Sequence, residues 1–404
     1  MKQRMQHICT SLIFCINLII LPSGIQAALF VNEMAIETNR QLVEEGHIEL
    51  KKAVNVLLSY ADELMIKGPY SVVYGKNNPA GGDPHDYCSM SPYWWPDPEK
   101  PDGLPYVRKD GQVNPERLKY DKTQSSEFHN AVEILTMAYL YSGESRYAQR
   151  AEYLIRIWFI EDSTRMNPNM NYAQFVPGRS EGRSFGIIES RVFLYVLDYA
   201  SILFKNNELT HDTYKGLITW AEEFLDWLMT SPHGKKERKA KNNHGSWFDV
   251  QAMGFAILTQ QDNIIRDIAG NLYRSRLKKH ILPDGRQPEE LKRTRSFFYS
   301  GFNLNAITRI YLLAMLQNSL SDRDNEKVLS EIQHALDYLY PYAIKPESWP
   351  YKQIGSFEDG RYMLAQTLLI LDPFFPDMKY KKRAAQIPLS DVNRQILILR
   401  HGIY

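Results

Sequence analysis

Four stretches of this chain are apolar nearly all the way round a helix, and each is followed by a stretch apolar along one face. The first kind covers residues 130–141, 187–204, 247–259 and 302–316. The second kind follows the i, i+3, i+4, i+7 rule. One face carries Tyr147, Ala151, Leu154, Ile155 and Trp158; the next carries Leu217, Ile218, Ala221, Phe224, Leu225 and Leu228. Ile264, Ile268 and Leu272 mark the third, and Val328, Ile332, Ala335, Leu336 and Leu339 the fourth. The all-round stretches begin 57, 60 and 55 residues apart, so helix pairs repeat without sequence repetition. Weaker helical stretches at 42–65 and 362–371 flank them. Helices apolar all round must be covered on all sides. A flat solenoid would leave one side of each inner helix bare, and no βαβ alternation is present. The pattern predicts an all-α fold: a single (α/α) toroid over residues 28–404, an incomplete barrel of about six to seven helix pairs.

Between 67 and 122 the helical pattern stops. Those positions hold nine of the 21 prolines, which break helices by lacking a backbone donor. The segment also carries Tyr70, Tyr74, Tyr87, Tyr93, Trp94, Trp95 and Tyr106, an aromatic content that argues against disorder. Long ordered loops are usually functional. One lying across the mouth of a toroid suits a sugar-binding wall; the plainer reading is that Trp94 and Trp95 pin the loop to the core. With 48 basic and 47 acidic side chains, the chain offers no global field for a nucleic acid. At the N-terminus, Lys2 and Arg4, an apolar run at 8–21 and a small-residue end at 24–28 predict a secretory signal over 1–27. That implies an exported protein, periplasmic or secreted, with no membrane contact after cleavage. Its one remaining cysteine would be Cys88.

No phosphate loop, Gly-x-Ser-x-Gly elbow or metal-ligand spacing occurs, so the chemistry is expected to use ordinary side chains without cofactor or metal. Two polar strings stand where inner helices begin: Lys241-Asn242-Asn243-His244-Gly245-Ser246-Trp247 and Glu290-Leu291-Lys292-Arg293-Thr294-Arg295-Ser296-Phe297-Phe298-Tyr299. Alone, Asn243 would be a helix cap, His244 a structural hydrogen-bonder, Arg293 a salt-bridging residue and Tyr299 a core aromatic. At equivalent ends of adjacent helix pairs they converge on one mouth. That set suits β-elimination from a uronic acid. Arg and Asn donors neutralise the charge moving onto the carboxylate as C5 loses its proton. A Tyr or His takes that proton, and a Tyr hydroxyl protonates the departing C4 oxygen.

These strings, with Asp83-Pro84-His85-Asp86-Tyr87, Tyr93-Trp94-Trp95-Pro96 and Asn114-Pro115-Glu116, resemble the alginate lyase superfamily of helical-toroid polysaccharide lyases. The likeness spans about 40 to 370. It implies that Asn243 and Arg293 neutralise the uronate carboxylate, that His244 is base or orienter, and that Tyr299 is the proton donor and a candidate base. The Arg293–Tyr299 spacing is one residue shorter than in the alginate-specific branch, which leaves Arg295 a share of the Arg role. The Trp-Trp segment is similar to a divergent branch that includes glucuronan-cleaving enzymes. The expected substrate is therefore alginate, especially mannuronate-containing, or β-1,4-glucuronan. Expected substrate contacts are Tyr87, Trp94, Trp95, Gln124, His129, Arg179, Arg183 and Arg295. Lys235 to Lys241 reads as a basic loop able to steer a polyanion. A toroid glycoside hydrolase is the enzyme alternative and needs two carboxylic acids, for example among Glu127, Glu189 and Glu290. A non-catalytic glycan-binding import protein is the other.

Overall fold

In the computed structural model, which describes residues 29–75 and 82–402, the helical pattern closes into a two-layered ring. The chain enters through α1 (Glu33–Glu44) and α2 (Ile48–Leu64) and then runs through α3 (Asp121–Ser142), α4 (Ser145–Phe159), α5 (Arg191–Lys205) and α6 (His211–Thr230). A short α7 (Pro232–Arg238) precedes α8 (Asn243–Leu258) and α9 (Asp262–Leu272). The rest is α10 (Lys278–His280), α11 (Pro288–Leu291), α12 (Ser296–Leu316), α13 (Asp322–Ile344), α14 (Glu358–Leu371), α15 (Tyr380–Gln386) and α16 (Asp391–His401).

Helices α3, α5, α8, α12 and α14 form the inner layer, each packed on the next. The ring is completed by α16 and α2, which bridge from α14 back to α3. Outer helices α4, α6, α9, α13 and α15 each back an inner one. Burial follows the sequence pattern. Every residue of α8 except His244 is buried, whereas α9 buries Ile265, Ile268, Ala269 and Leu272 alone. With α1 and α2 as one pair and α14 with α15 as another, the described residues make six helix pairs, an (α/α) toroid. No described helix is long and apolar enough to cross a membrane. The signal segment expected at 1–27 lies outside the described residues.

Three inner helices start earlier than the periodicity, while α5 starts later, at Arg191 rather than 187, after a 3₁₀ turn at Ser184–Ser190. Helix α3 starts at Asp121 rather than near 130, α8 at Asn243 rather than 247, and α12 at Ser296 rather than 302. The first turns of α3 and α8 hold polar residues, where apolar periodicity has no hold. Two other expectations change. The stretch 42–65 is two helices parted at Gly46, whose φ of 93° is left-handed. The basic string 235–241 is largely helical, not a loop: Ser231 caps α7 by accepting from the Gly234 amide, and Pro232 fills its first turn.

The proline-rich segment is ordered as β1 (Cys88–Met90), β2 (Trp94–Trp95), β3 (Val107–Arg108) and a 3₁₀ turn Pro115–Lys119. Strand β1 pairs parallel with β4 (Tyr172–Phe175), and β2 pairs antiparallel with β3. Contacts of Tyr93 with Tyr299 and of Asp110 with Arg293 fix the hairpin to the ring at the start of α12.

Candidate active site

His244 sits in the first turn of α8, capped by the Asn242 side chain, which accepts from the His244 amide at 3.2 Å. Its ring Nδ1 lies 2.6 Å from Oε1 of Glu237, a carboxyl group buried to 1% exposure. An ionised carboxylate only accepts, so it fixes the hydrogen on Nδ1 and leaves the Nε2 lone pair free to take a proton. The corner that brings Glu237 there depends on one glycine. A Cβ at Gly245 would stand 2.2 Å from the Ala240 carbonyl oxygen and 2.6 Å from Nη1 of Arg276. Arg276 donates to the carbonyls of Arg238 and Ala240 and pairs with buried Asp249 at 2.6 Å, clamping α7 onto α8. A π turn at Tyr273–Leu277, after α9, carries that arginine.

Asn243, 1% exposed, gives both its backbone amide and its side-chain Nδ2 to the carboxyl oxygens of Glu290, at 2.6 and 2.7 Å. Burial pushes the Glu290 carboxyl up to about 7, against the opposing pull of the Asn243 hydrogen bonds and the nearby charges of Arg293 and His244. The two polar strings therefore meet at Glu290.

Tyr299 lies in the first turn of α12, 8% exposed, with the Arg293 guanidinium 3.8 Å from its ring centre. Its hydroxyl is 2.9 Å from that of Tyr93 in the proline-rich segment. Burial pushes the Tyr299 phenol well above the usual tyrosine range, opposed by Arg293 and reinforced by Tyr93. Tyr299 therefore stands as a protonated phenol. Arg293 is aimed by Asp110, which accepts from it at 2.9 and 3.3 Å and from the Thr294 hydroxyl at 2.9 Å. Burial would raise the Asp110 carboxyl, but these partners hold it well below the carboxylate range. The turn bearing Asp110 needs Gly111, at φ 77°, where a Cβ would meet the Thr294 hydroxyl at 2.5 Å.

Around the mouth, Trp94 and Trp95 are half-buried on the hairpin. Arg179 and Arg183 lie 5.1 and 5.6 Å from the Trp94 ring centre, a cationic and aromatic wall. Trp95 instead donates its Nε1 hydrogen to the Gln112 carbonyl at 3.0 Å and so pins the hairpin. Arg183 is partly spent inward, on Ser91 at 2.5 Å and on Gln174. Gln124 is half-buried in the first turn of α3, its Oε1 buried without a partner among the described residues.

Three expected substrate contacts are corrected. Tyr87 is 0% exposed and donates its hydroxyl to Glu189 at 2.9 Å, so it cannot touch a sugar. His129 lies two turns down α3, in the lumen rather than the mouth, where burial lowers it to about 4. Arg295 pairs with Asp359 at 2.5 Å and lies over Phe298, so Arg293 alone covers Tyr299. The carboxyls a hydrolase would need are committed elsewhere. Glu127 is exposed, Glu189 accepts from Tyr87, Ser89 and Gln174, and Glu290 holds Asn243. The reading of the sequence missed Glu237 and Asp110 as partners of His244 and Arg293. Glu237 stands seven residues before His244, a spacing that could have flagged it; Asp110 carries no such signal.

A family model described as alginate lyase matches residues 74–349. The crystal structure of an alginate lyase from Bacteroides ovatus aligns with 94% of this chain and 100% of its own, at 33% identity and a TM-score of 0.84. Alginate lyase A1-III from Sphingomonas species A1 aligns over 93% and 95% at 14% identity, TM-score 0.55. A variant of that enzyme complexed with a tetrasaccharide gives 0.51 over 85% and 93%, at 13% identity. These distant likenesses speak to the fold. No curated protein sequence matches the chain.

Proposed function

The chain belongs to the alginate lyase family, a family of polysaccharide lyases, and from that premise we propose that it cleaves alginate, especially mannuronate-containing stretches, or β-1,4-glucuronan by β-elimination. One observation carries the reading: a buried, protonated Tyr299 stacked under Arg293, on the helix next to a His244 whose Nδ1 hydrogen is held by Glu237. Membership of an enzyme family sets aside the import-protein alternative.

In this reading the uronate carboxylate lies against Arg293, with Asn243 beside it. Arg293 stays charged and its planar fork matches a carboxylate. Charge that moves onto the carboxylate as the C5 proton leaves is met by donors already in place. In guluronate, the C5 hydrogen and the C4 oxygen lie on opposite sides. His244 Nε2 then takes the proton and Tyr299 gives its own to C4 oxygen. In mannuronate and glucuronate they lie on the same side, and Tyr299 serves both: its own proton passes first to His244 Nε2, and the resulting tyrosinate takes the C5 proton and gives it to the departing C4 oxygen. Glu237 acts through His244 and Glu290 through Asn243; both are positioning residues. Trp94 with Arg179 and Arg183 supplies a wall for a neighbouring uronate. Export to the periplasm or medium, supported by the Lys2–Ala28 pattern, would bring the enzyme to its polymer.

The test is incubation with a panel of uronans, following ultraviolet absorbance of 4,5-unsaturated ends. Absorbance growing on mannuronan or glucuronan is expected. Reducing ends released without it would mean hydrolysis and overturn the reading.

A further inference from the structure

The toroid lumen holds a cavity lined by none of the residues placed in the reaction. It has a volume of about 170 Å³ and is lined by the inner helices, by Phe30 and Val31, and by Arg400 and His401. Helix geometry gives its depth. Trp247 and Phe302, with ring centres 4.9 Å apart, come three residues after His244 and Tyr299, one turn below the mouth. Arg309 comes ten residues after Tyr299 on α12, about 15 Å farther down at ~1.5 Å per residue.

The lining is electrically unbalanced. Its acid, Glu133, is answered by an ion pair with Arg400 and by the Tyr199 hydroxyl at 2.9 Å. Arg191 and Arg309 have no ion pair among the described residues. Arg309 is 5% exposed; its Nε donates to Asn305 at 2.9 Å, and its plane lies 5.1 and 5.5 Å from the rings of Phe30 and Tyr195. Arg191 donates to the Ile188 carbonyl and lies 5.8 and 5.5 Å from Trp247 and Phe302. Nearby, Nε2 of His401 is buried without a partner among the described residues.

Buried cations without counter-charge are costly, and a guanidinium recovers most by gripping a carboxylate with both arms. The flanking rings suit the C–H face of a sugar. At ~30 Å³ per water the space holds on the order of five or six waters, or one pyranose ring. We propose that the lumen cavity is a second binding site, for a single sugar carboxylate of uronate size, distinct from the cleft where polymer is cut. The identity of the ligand as a uronate rests on the lyase reading; the anion site itself rests on Arg191 and Arg309.

Glucuronate, glucose and sulfate would each be titrated into the protein by calorimetry, with tryptophan fluorescence reporting on Trp247. Free glucuronate has no glycosidic bond to C4 and is not turned over. Glucuronate should bind saturably and at least tenfold more tightly than glucose or sulfate. Arg309→Gln should weaken it tenfold or more while uronan cleavage stays within twofold; Arg191→Gln, at a half-buried position, repeats the test if the first variant does not fold. Absence of binding, equal binding in both folded variants, or sulfate matching glucuronate would overturn the proposal. So would displacement of glucuronate by a uronan oligosaccharide in Tyr299→Phe, which would put the sugar in the cleft. If glucuronate binds as described and no uronan is cleaved, the lumen site stands and the lyase reading falls.

Discussion

Tyr299→Phe removes one oxygen from the centre of the proposed mechanism and little else. The ring keeps its place between Arg293 and the first turn of α12. What is lost from the fold is a hydrogen bond of 2.9 Å to Tyr93, worth about 1 kcal/mol net, and Tyr93 is only half-buried, so water can replace it. For a chain of this length that is a melting shift of roughly 2 °C or less. The expected loss of turnover is far larger. A general acid or base contributes roughly 10² to 10⁴, or about 3 to 5 kcal/mol of barrier, and the loss should lie at the upper end where Tyr299 fills both roles. The assay is the initial rate of unsaturated-end formation at saturating polymer, with substrate binding measured separately by calorimetry. Tyr93→Phe is the control: it removes the same hydrogen bond from the other side and should cost much less. Near wild-type rates for Tyr299→Phe on every uronan that the parent cleaves would refute the assignment, and equal losses in the two variants would move the proton donor to Tyr93.

Further expectations concern the groups that aim the site. Glu237→Gln keeps the shape beside His244 but removes a charge-assisted contact worth roughly 1.5–3 kcal/mol, so kcat should fall about ten- to hundredfold with KM little changed, most of all on guluronate. Because Glu237 Oε2 is buried without a partner among the described residues, the melting temperature should hold or rise, and a marked fall would mark Glu237 as merely structural. The Glu290 carboxyl is raised above its unfolded value, so it favours the fold while protonated and that advantage is lost as pH rises from about 4.5 through about 7. Denaturant titrations should show wild type losing about 3 kcal/mol relative to Glu290→Gln over that window, and parallel pH curves would contradict it. Trp94→Ala should raise KM for polymer severalfold with little change in melting, whereas Trp95→Ala should loosen the β2–β3 hairpin, read as faster proteolysis of that segment. The reverse pattern would exchange their roles.

Sequence alone determined the ring and its end of business. Helices apolar all round, such as α8 and α12, had to be surrounded, and one-sided partners such as α9 had to back them, because burying apolar area drives both. The same periodicity put the polar strings of Asn243, His244, Arg293 and Tyr299 at matching helix starts, and the structure joins the two strings through Glu290. It misjudged where α8 begins, since the polar first turn Asn243–Ser246 leaves no apolar trace. It also could not tell Tyr87 from the aromatics around it, or place His129 in the lumen rather than the mouth. Those outcomes depend on which way a residue faces once neighbours are packed. Tertiary structure alone decided the partners: Glu237 against His244 through the Arg276 clamp, Tyr93 against Tyr299, and Asp110 against Arg293 across 183 residues of chain. A local pattern records how much of a segment is buried, whereas such contacts are set by turns and helix packing between segments that share no pattern.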